Sequence, residues 1–196
     1  IIDVIADGNH ELSVLKNAST NLPDRLVHEL NRRTNSKIKH GGYGGWVRLM
    51  LTEVDELTGT HSSVKIKYFH GSGGEAPVTR GAIQTNRQAV YLPDANIVVN
   101  GHSHNSYHIP ITRERISGKG RQYFDTQHHV RTPGYKQSYG DGTTGWDVTR
   151  GGVPKPIGGA FAKLTWRNSL CKIEIFHHIS DPEPVSMNSE DIYNGA

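Results

Sequence analysis

Three short stretches of the sequence place amide and imidazole side chains directly after apolar, β-rich runs. The run IIDVIA leads to Asn9 and His10, VKIKYF leads to His70, and ANIVVN leads to His102 and His104. In an α/β sheet, the carboxyl ends of neighbouring parallel strands meet at one edge, where ligands bind. The His-x-His step also places both imidazoles on the same side of an extended segment. Because imidazole and amide oxygen are good ligands for Zn, Mn, Fe or Ni, the pattern predicts a transition-metal site at this edge.

Alternating and continuous apolar runs predict the strands that would position these side chains. Strands are expected at Ile1–Ala6 and at the runs SSVKIKYFH and ANIVVN. For Trp46–Val54 the pattern fits either a helix or a strand. From GRQYF onward, short β-rich runs separated by Gly and Pro predict antiparallel strands and hairpins.

Helices are predicted from the spacing of apolar residues and from helix-start signals. The clearest is Leu22–Thr34, in which Pro23 suits an early helical position. Its predicted apolar stripe consists of Leu22, Leu26, Val27 and Leu30. Thr79–Leu92 is predicted as a second helix, and LSVLKNA as a short helical turn after a Gly8–Glu11 loop.

Length and composition are typical of one α/β domain of a loop-rich enzyme. The 196 residues divide into a predicted domain at 1–180 and a polar tail at 181–196. A net charge of +3 suits an anionic substrate but is weak support for nucleic acid as a partner. The single cysteine, Cys171, favours a reducing compartment. With no apolar run of about 18 residues, we expect no membrane span and a cytoplasmic location in a bacterium or a phage-infected cell, with a virion as the alternative.

The stretches GNHE, FHGSGG and GHSHN resemble the third, fourth and fifth motif blocks of calcineurin-like metallophosphoesterases. GEAPVTRGAIQTNRQAVYLPDANIVVNGHSHN and PKPIGGAFAKLTW are similar to the phage and bacterial branch of that family. The resemblance covers Ile1 to Trp166. It implies hydrolysis of a phosphomonoester or phosphodiester by two divalent ions, Mn, Fe, Zn or Ni. The implied fold is an α/β/β/α sandwich of two facing sheets with helices outside, and this chain would be its C-terminal portion.

The resemblance also implies a role for each residue of the three stretches. Its ligands for one ion are Asn9, His70 and His102. His104 binds the other ion. His10 is catalytic and does not ligate: it lies beside the phosphate and stabilises or protonates the leaving oxygen, with Glu11 as a candidate to orient it. An imidazole with an ordinary pKa near 6.5 can donate a proton at neutral pH.

The family's first two blocks, Asp-x-His and Gly-Asp-x-x-Asp, are absent, and with them the carboxylate that bridges the ions. Asp3 and Asp7 are too close to GNHE to replace them. Two divalent ions at about 3.5 Å repel each other by on the order of 20 kcal/mol at an effective dielectric constant of 20. We therefore expect about half a site on this chain, additional chain before Ile1, and an N-terminal portion of the same domain as its partner.

Two other functions remain open from the sequence. An incomplete fragment could serve as a structural or interaction module, for instance in a phage particle. An HNH-type nuclease is less favoured because the clusters are spread over 96 residues, from Asn9 to Asn105. The substrate-binding residues and the substrate are not readable, although nucleotides and nucleic-acid ends are among the candidates. Arginines that could bind phosphate, but more simply lie on a solvated surface, are Arg80, Arg87, Arg113 and Arg115.

Overall fold

A computed structural model describes residues 2–52, 61–72, 79, 81–136, 139, 145–167 and 170–180. The strands are β1 (Val4–Ile5), β2 (Lys39–His40), β3 (Gly44–Thr52), β4 (His61–Phe69), β5 (Ile97–Asn100), β6 (Tyr107–Ile116), β7 (Gln122–Arg131), β8 (Gly158–Arg167) and β9 (Leu170–Ile179). The helices are α1 (Asn9–Ala18), α2 (Leu22–Thr34), α3 (Ala82–Tyr91) and α4 (Trp146–Thr149). The predicted polar tail 181–196 lies outside the described residues.

The central element is a mixed five-stranded sheet in the order β3-β4-β5-β7-β6. Its three inner strands β4, β5 and β7 run parallel, and the two outer strands pair antiparallel to their neighbours. Strands β1 and β2 form a separate parallel pair, and β8 and β9 form an antiparallel hairpin. The chain is therefore an α/β protein, as the sequence predicts, and the C-terminal region contains the predicted antiparallel strands.

The hydrophobic core lies between the five-stranded sheet and the β8–β9 hairpin. Val64, Ile97 and Val130 come from the three parallel strands and are 2–3% exposed. Partly buried side chains of the hairpin, including Leu164 and Ile173, pack against them. This packing holds β4 and β5 in a fixed register, so the residues that follow each strand also have fixed positions.

The strand β3 settles the ambiguous segment that begins at Trp46. Its side chains alternate: Val47 and Leu49 are partly buried, whereas Trp46 and Met50 are 49% and 56% exposed. This period of two is the signature of a strand with one solvated face. Residues 53 and 54, the end of the ambiguous segment, lie outside the described residues.

The predicted helix Leu22–Thr34 is confirmed as α2, but its predicted apolar stripe is only partly right. The Asn21 side chain accepts from the Asp24 N–H at 3.0 Å and caps the helix. Val27 is buried, yet Leu22 and Leu26 are 47% and 50% exposed. Helix α2 packs against α1 and the short strand β2, and this packing leaves Leu22 and Leu26 exposed.

The predicted helix Thr79–Leu92 is observed as α3, which begins at Ala82. Gly81, with φ +85°, adopts a left-handed conformation that ends the preceding turn and sets the helix start. Among the described residues no helix is long and apolar enough to cross a bilayer.

Candidate metal centre

Asn9 and His10 lie in the first turn of α1, whereas the sequence predicted a loop at Gly8–Glu11. Gly8 is the N-cap, and its backbone N–H donates to the Glu11 carboxylate at 2.9 Å. This bond satisfies one of the otherwise unpaired N–H groups at the helix start, which explains why the helix begins two residues after Asp7. The helix fixes the position of the Asn9 amide. It also gives Glu11 a capping role.

His70 and His102 are brought together by the parallel pairing of β4 and β5. The register pairs Phe69 with Asn100, and the Gly101 N–H donates to the His70 carbonyl at 2.9 Å. Gly71 permits this close approach because it has φ +106°, and a Cβ there would lie 3.1 Å from both the Gly101 carbonyl oxygen and the His102 Cβ.

The three donor atoms Asn9 Oδ1, His70 Nε2 and His102 Nδ1 form a small triangle, which we call the donor triangle. The His70 nitrogen lies 2.8 Å from the Asn9 oxygen, and the His102 nitrogen lies 3.3 Å from that oxygen. The two nitrogens are 3.2 Å apart, and the two rings meet edge to face with centroids 5.2 Å apart. The structure thus brings together the three residues that the family resemblance implies as ligands of one ion.

Hydrogen bonding by itself does not satisfy all three edges of the donor triangle. The amide oxygen only accepts, and each imidazole nitrogen carries at most one proton. If both nitrogens carry a proton they face each other as a donor pair, and if only one does, one of the three short contacts is left as an acceptor pair or the single proton is shared. A cation at the same place would accept a lone pair from each donor at once.

The size of the donor triangle fits a transition-metal ion. A circle through the three atoms has a radius of about 1.8 Å, which is shorter than metal–nitrogen and metal–oxygen bonds of about 2.0–2.2 Å. One ion can therefore bond to all three. Within the part of the chain that the structure describes, no group of three or more His, Cys, Asp or Glu could hold a metal. The donor triangle is a different set because its third member is an amide.

The loop that carries His102 and His104 has an unusual backbone. Both residues adopt left-handed conformations, with φ +72° and +57°. Non-glycine residues in this region cost energy and are concentrated at functional sites. The loop is held by Arg131 at the end of β7: this side chain is 3% exposed and donates to the Gly101 carbonyl at 2.7 Å.

His104 lies beside the donor triangle without any described contact to its atoms. Its ring packs against Gly134, where a Cβ would lie 3.0 Å from the ring. Removal of solvent by the surrounding protein lowers the pKa of His104, and the nearby Asp147 carboxylate opposes this shift. Partial burial likewise lowers the pKa of His70, and the neighbouring His102 adds to the effect. Both imidazoles therefore favour the neutral form that binds metals.

His10 is exposed to solvent in the first turn of α1, with its position next to Asn9 placing it at the edge of the site. His10 is close enough to His70 to contribute to the lowering of the His70 pKa. Among the described residues, none forms a hydrogen bond with the His10 side chain. Its ring is therefore accessible to a ligand.

Two supporting contacts were not found from the sequence. The Asp7 carboxylate, 6% exposed, meets His40 Nε2 at 2.7 Å and ties the start of the GNHE turn to β2. The Tyr43 hydroxyl donates to the Gly71 carbonyl at 2.6 Å, and its ring lies 5.2 Å from the His70 ring. His40 and Tyr43 are distant in sequence from the residues they support, and neither belongs to a recognisable motif.

Two of the arginines considered as phosphate ligands, Arg113 and Arg115, are bound to other groups. Arg113 binds Asp125 with two hydrogen bonds of 2.8 Å, and Arg113 and Arg115 both donate to the Pro93 carbonyl. Arg87 is exposed on α3. Arg80 lies outside the described residues.

A cavity of about 300 Å³ opens beside the donor triangle. Its walls include Gly8 and Asp7 before α1, His70 after β4, Gly101 after β5 and Tyr135 after β7. The cavity therefore lies at the carboxyl ends of the parallel strands, where an α/β sheet binds ligands.

No family model and no curated protein match this sequence. Among solved structures, the chain is similar to the solution NMR structure of Thermotoga maritima protein TM1076, with 12% identity over 79% of this chain and 73% of that chain and a TM-score of 0.28. A similarity of this strength carries no argument about fold or function.

Proposed function

We propose that this chain carries part of the active site of a metal-dependent phosphoesterase and forms the C-terminal portion of an α/β/β/α sandwich. The observation that supports the proposal most is the donor triangle, whose three edges of 2.8–3.3 Å suit one ion better than a set of hydrogen bonds. Its position at the ends of two adjacent parallel strands and a helix start also suits a catalytic site.

In this proposal Asn9, His70 and His102 hold one divalent transition metal, and His104 contributes to a second position. When bound, such ions polarise phosphoryl oxygens and lower the pKa of a coordinated water. The chain's own part is to hold neutral donors at fixed distances, which the burial of His70 and the Arg131 contact to the loop both favour.

His10 is proposed as the proton donor to the leaving oxygen. Its exposed ring lies next to Asn9 at the positive end of α1, where a phosphate ester would also be attracted. An imidazole at this place can donate to the oxygen that leaves as an alcohol or a phenol.

The donor triangle is neutral, so it does not offset the charge of two divalent ions. We therefore propose that carboxylates from an N-terminal portion of the same domain complete the site, and that the 196 residues alone have no phosphoesterase activity. The coding sequence upstream of Ile1 tests this cheaply: in-frame Asp-x-His and Gly-Asp-x-x-Asp blocks are expected.

The functional test is hydrolysis of bis(p-nitrophenyl) phosphate with Mn²⁺ or Zn²⁺, by the 196 residues alone and joined to that upstream portion. We expect turnover only for the joined protein. Turnover with two tightly bound ions by the 196 residues alone would contradict the half-site. No turnover by the joined protein would contradict the phosphoesterase and would favour a structural module.

A further inference from the structure

Tyr135 presents an aromatic ring at the mouth of the cavity beside the donor triangle. Its side chain is 92% exposed, yet it lines the same cavity as His70, Gly8 and Gly101. The structure describes no hydrogen bond for its hydroxyl among the described residues. Tyr91 and Phe124 are also well exposed, at 63% and 68%, but neither lines this cavity.

The backbone directly before Tyr135 is held in place. Pro133 and Gly134 are buried, and the Gly134 carbonyl accepts from the Gly158 N–H at 3.0 Å. Gly134 also forms a β-bridge with Ile157 and contacts the His104 ring. The chain that leads into Tyr135 is therefore positioned beside His104.

Positive charge accompanies the ring. Lys136 follows Tyr135 and is exposed. The Lys155 ammonium donates to Asn105 Oδ1 at 2.8 Å, one residue after His104. An exposed aromatic ring next to cations and beside a phosphate site is the combination with which proteins bind nucleotides of single-stranded nucleic acid, because every nucleobase has a π-face that can stack.

We propose that Tyr135 stacks on the nucleobase of a nucleotide-type phosphate ester whose phosphate lies at the donor triangle. The inference rests on the proposed function, and it narrows the substrate class from phosphate esters in general to those that carry a nucleobase. The same chemistry occurs in free nucleotides and at nucleic-acid ends, which the experiment below distinguishes.

The test is a binding measurement on the Mn²⁺-saturated chain, so it does not depend on turnover. Calorimetric titrations compare dTMP with 2-deoxyribose 5-phosphate, which differ only in the base. The wild-type chain should prefer dTMP, and Tyr135→Ala should reduce that preference by about 5- to 100-fold. Tyr135→Phe should retain the preference because the ring remains. Tyr91→Ala, which removes an exposed ring away from the cavity, is the matched control and should behave as wild type.

The outcomes separate this inference from the proposed function. If the wild type binds both compounds equally, or if Tyr135→Ala leaves the preference for dTMP unchanged, the stacking role is wrong while the phosphate site stands. If the wild-type chain binds neither compound, both the phosphate site and the inference fail. A short 5′-phosphorylated oligo(dT) that binds more tightly than dTMP would indicate a nucleic-acid end, and equal affinity would indicate a free nucleotide.

Discussion

His10 differs in its surroundings from the three residues beside it, Asn9, His70 and His102. These three point donor atoms at one another within 3.3 Å, whereas His10 is exposed and next to the helix start. In the proposed function, this difference supports metal binding by the triangle and proton transfer by His10. The two roles can be separated because they affect different measurements.

The first prediction concerns His10 in the joined protein. His10→Ala should lower turnover of bis(p-nitrophenyl) phosphate by about 10²- to 10⁴-fold, the usual contribution of a general acid, with metal content nearly unchanged. His102→Ala should instead lower metal occupancy, measured by elemental analysis after dialysis. If His10→Ala lost metal as severely as His102→Ala, the assignment of roles would be wrong.

At the scale of the elements, the site depends on how closely the β4 and β5 ends approach each other. Gly71 is the point of closest approach, with a positive φ and with backbone and side-chain atoms 3.1 Å from the position of a Cβ. Gly120, in the turn between β6 and β7, has a similar φ of +74° and open space around it. The two glycines therefore share a positive φ but have different surroundings.

The second prediction uses this pair. Gly71→Ala and Gly120→Ala should each lower the free energy of unfolding by about 1–2 kcal/mol through left-handed strain. Only Gly71→Ala should also weaken Mn²⁺ binding, by at least about 10-fold, because the added methyl group pushes His102 away from the triangle. Equal metal affinity in the two variants, measured by calorimetry, would show that the strand ends do not set the donor geometry.

Part of this arrangement is readable from the sequence. The runs before His70 and His102 were predicted as strands, and neighbouring parallel strands align their carboxyl ends, so the convergence of these two histidines was predicted. The helix start at Asn9 was missed because its cap is Gly8, whose cue is the Glu11 carboxylate three residues on. The anchors His40, Tyr43 and Arg131 were missed because long-range contacts bring them to the site, and a single sequence does not encode such contacts locally.

At the scale of the whole molecule, the five-stranded sheet contains a buried, neutral histidine. His129 is 1% exposed on β7, and burial lowers its pKa from 6.5 to about 4. The Gln127 amide donates to the Leu92 and Ala95 carbonyls, which leaves its oxygen to accept from His129 Nε2. Nδ1 of His129 is the unprotonated nitrogen and has no hydrogen-bond partner among the described residues.

The third prediction follows from the sign of this shift. Because the pKa of His129 is lower in the folded state, the unfolded state binds more protons between pH 6.5 and about 4, and folding stability is lost as the pH falls through that range. This shift of the His129 pKa contributes about 3 kcal/mol to the free energy of unfolding at neutral pH, which is lost on acidification. Urea midpoints at pH 7 and pH 4.5 should differ less in His129→Leu than in wild type. His28→Leu, at an exposed position on α2, should retain the wild-type difference, and an unchanged difference in His129→Leu would contradict the account.

The central claim is that the donor triangle binds a metal ion, and calorimetric titration of the 196 residues with Mn²⁺ or Zn²⁺ at pH 7 tests it most directly. We predict one weakly bound ion per chain. His70→Ala, His102→Ala and Asn9→Ala should each weaken its binding by at least about 10-fold. His108→Ala, which removes an imidazole that pairs with His128 on the sheet, should leave the affinity unchanged. No metal binding by the wild type, or wild-type affinity in His70→Ala, would contradict the account.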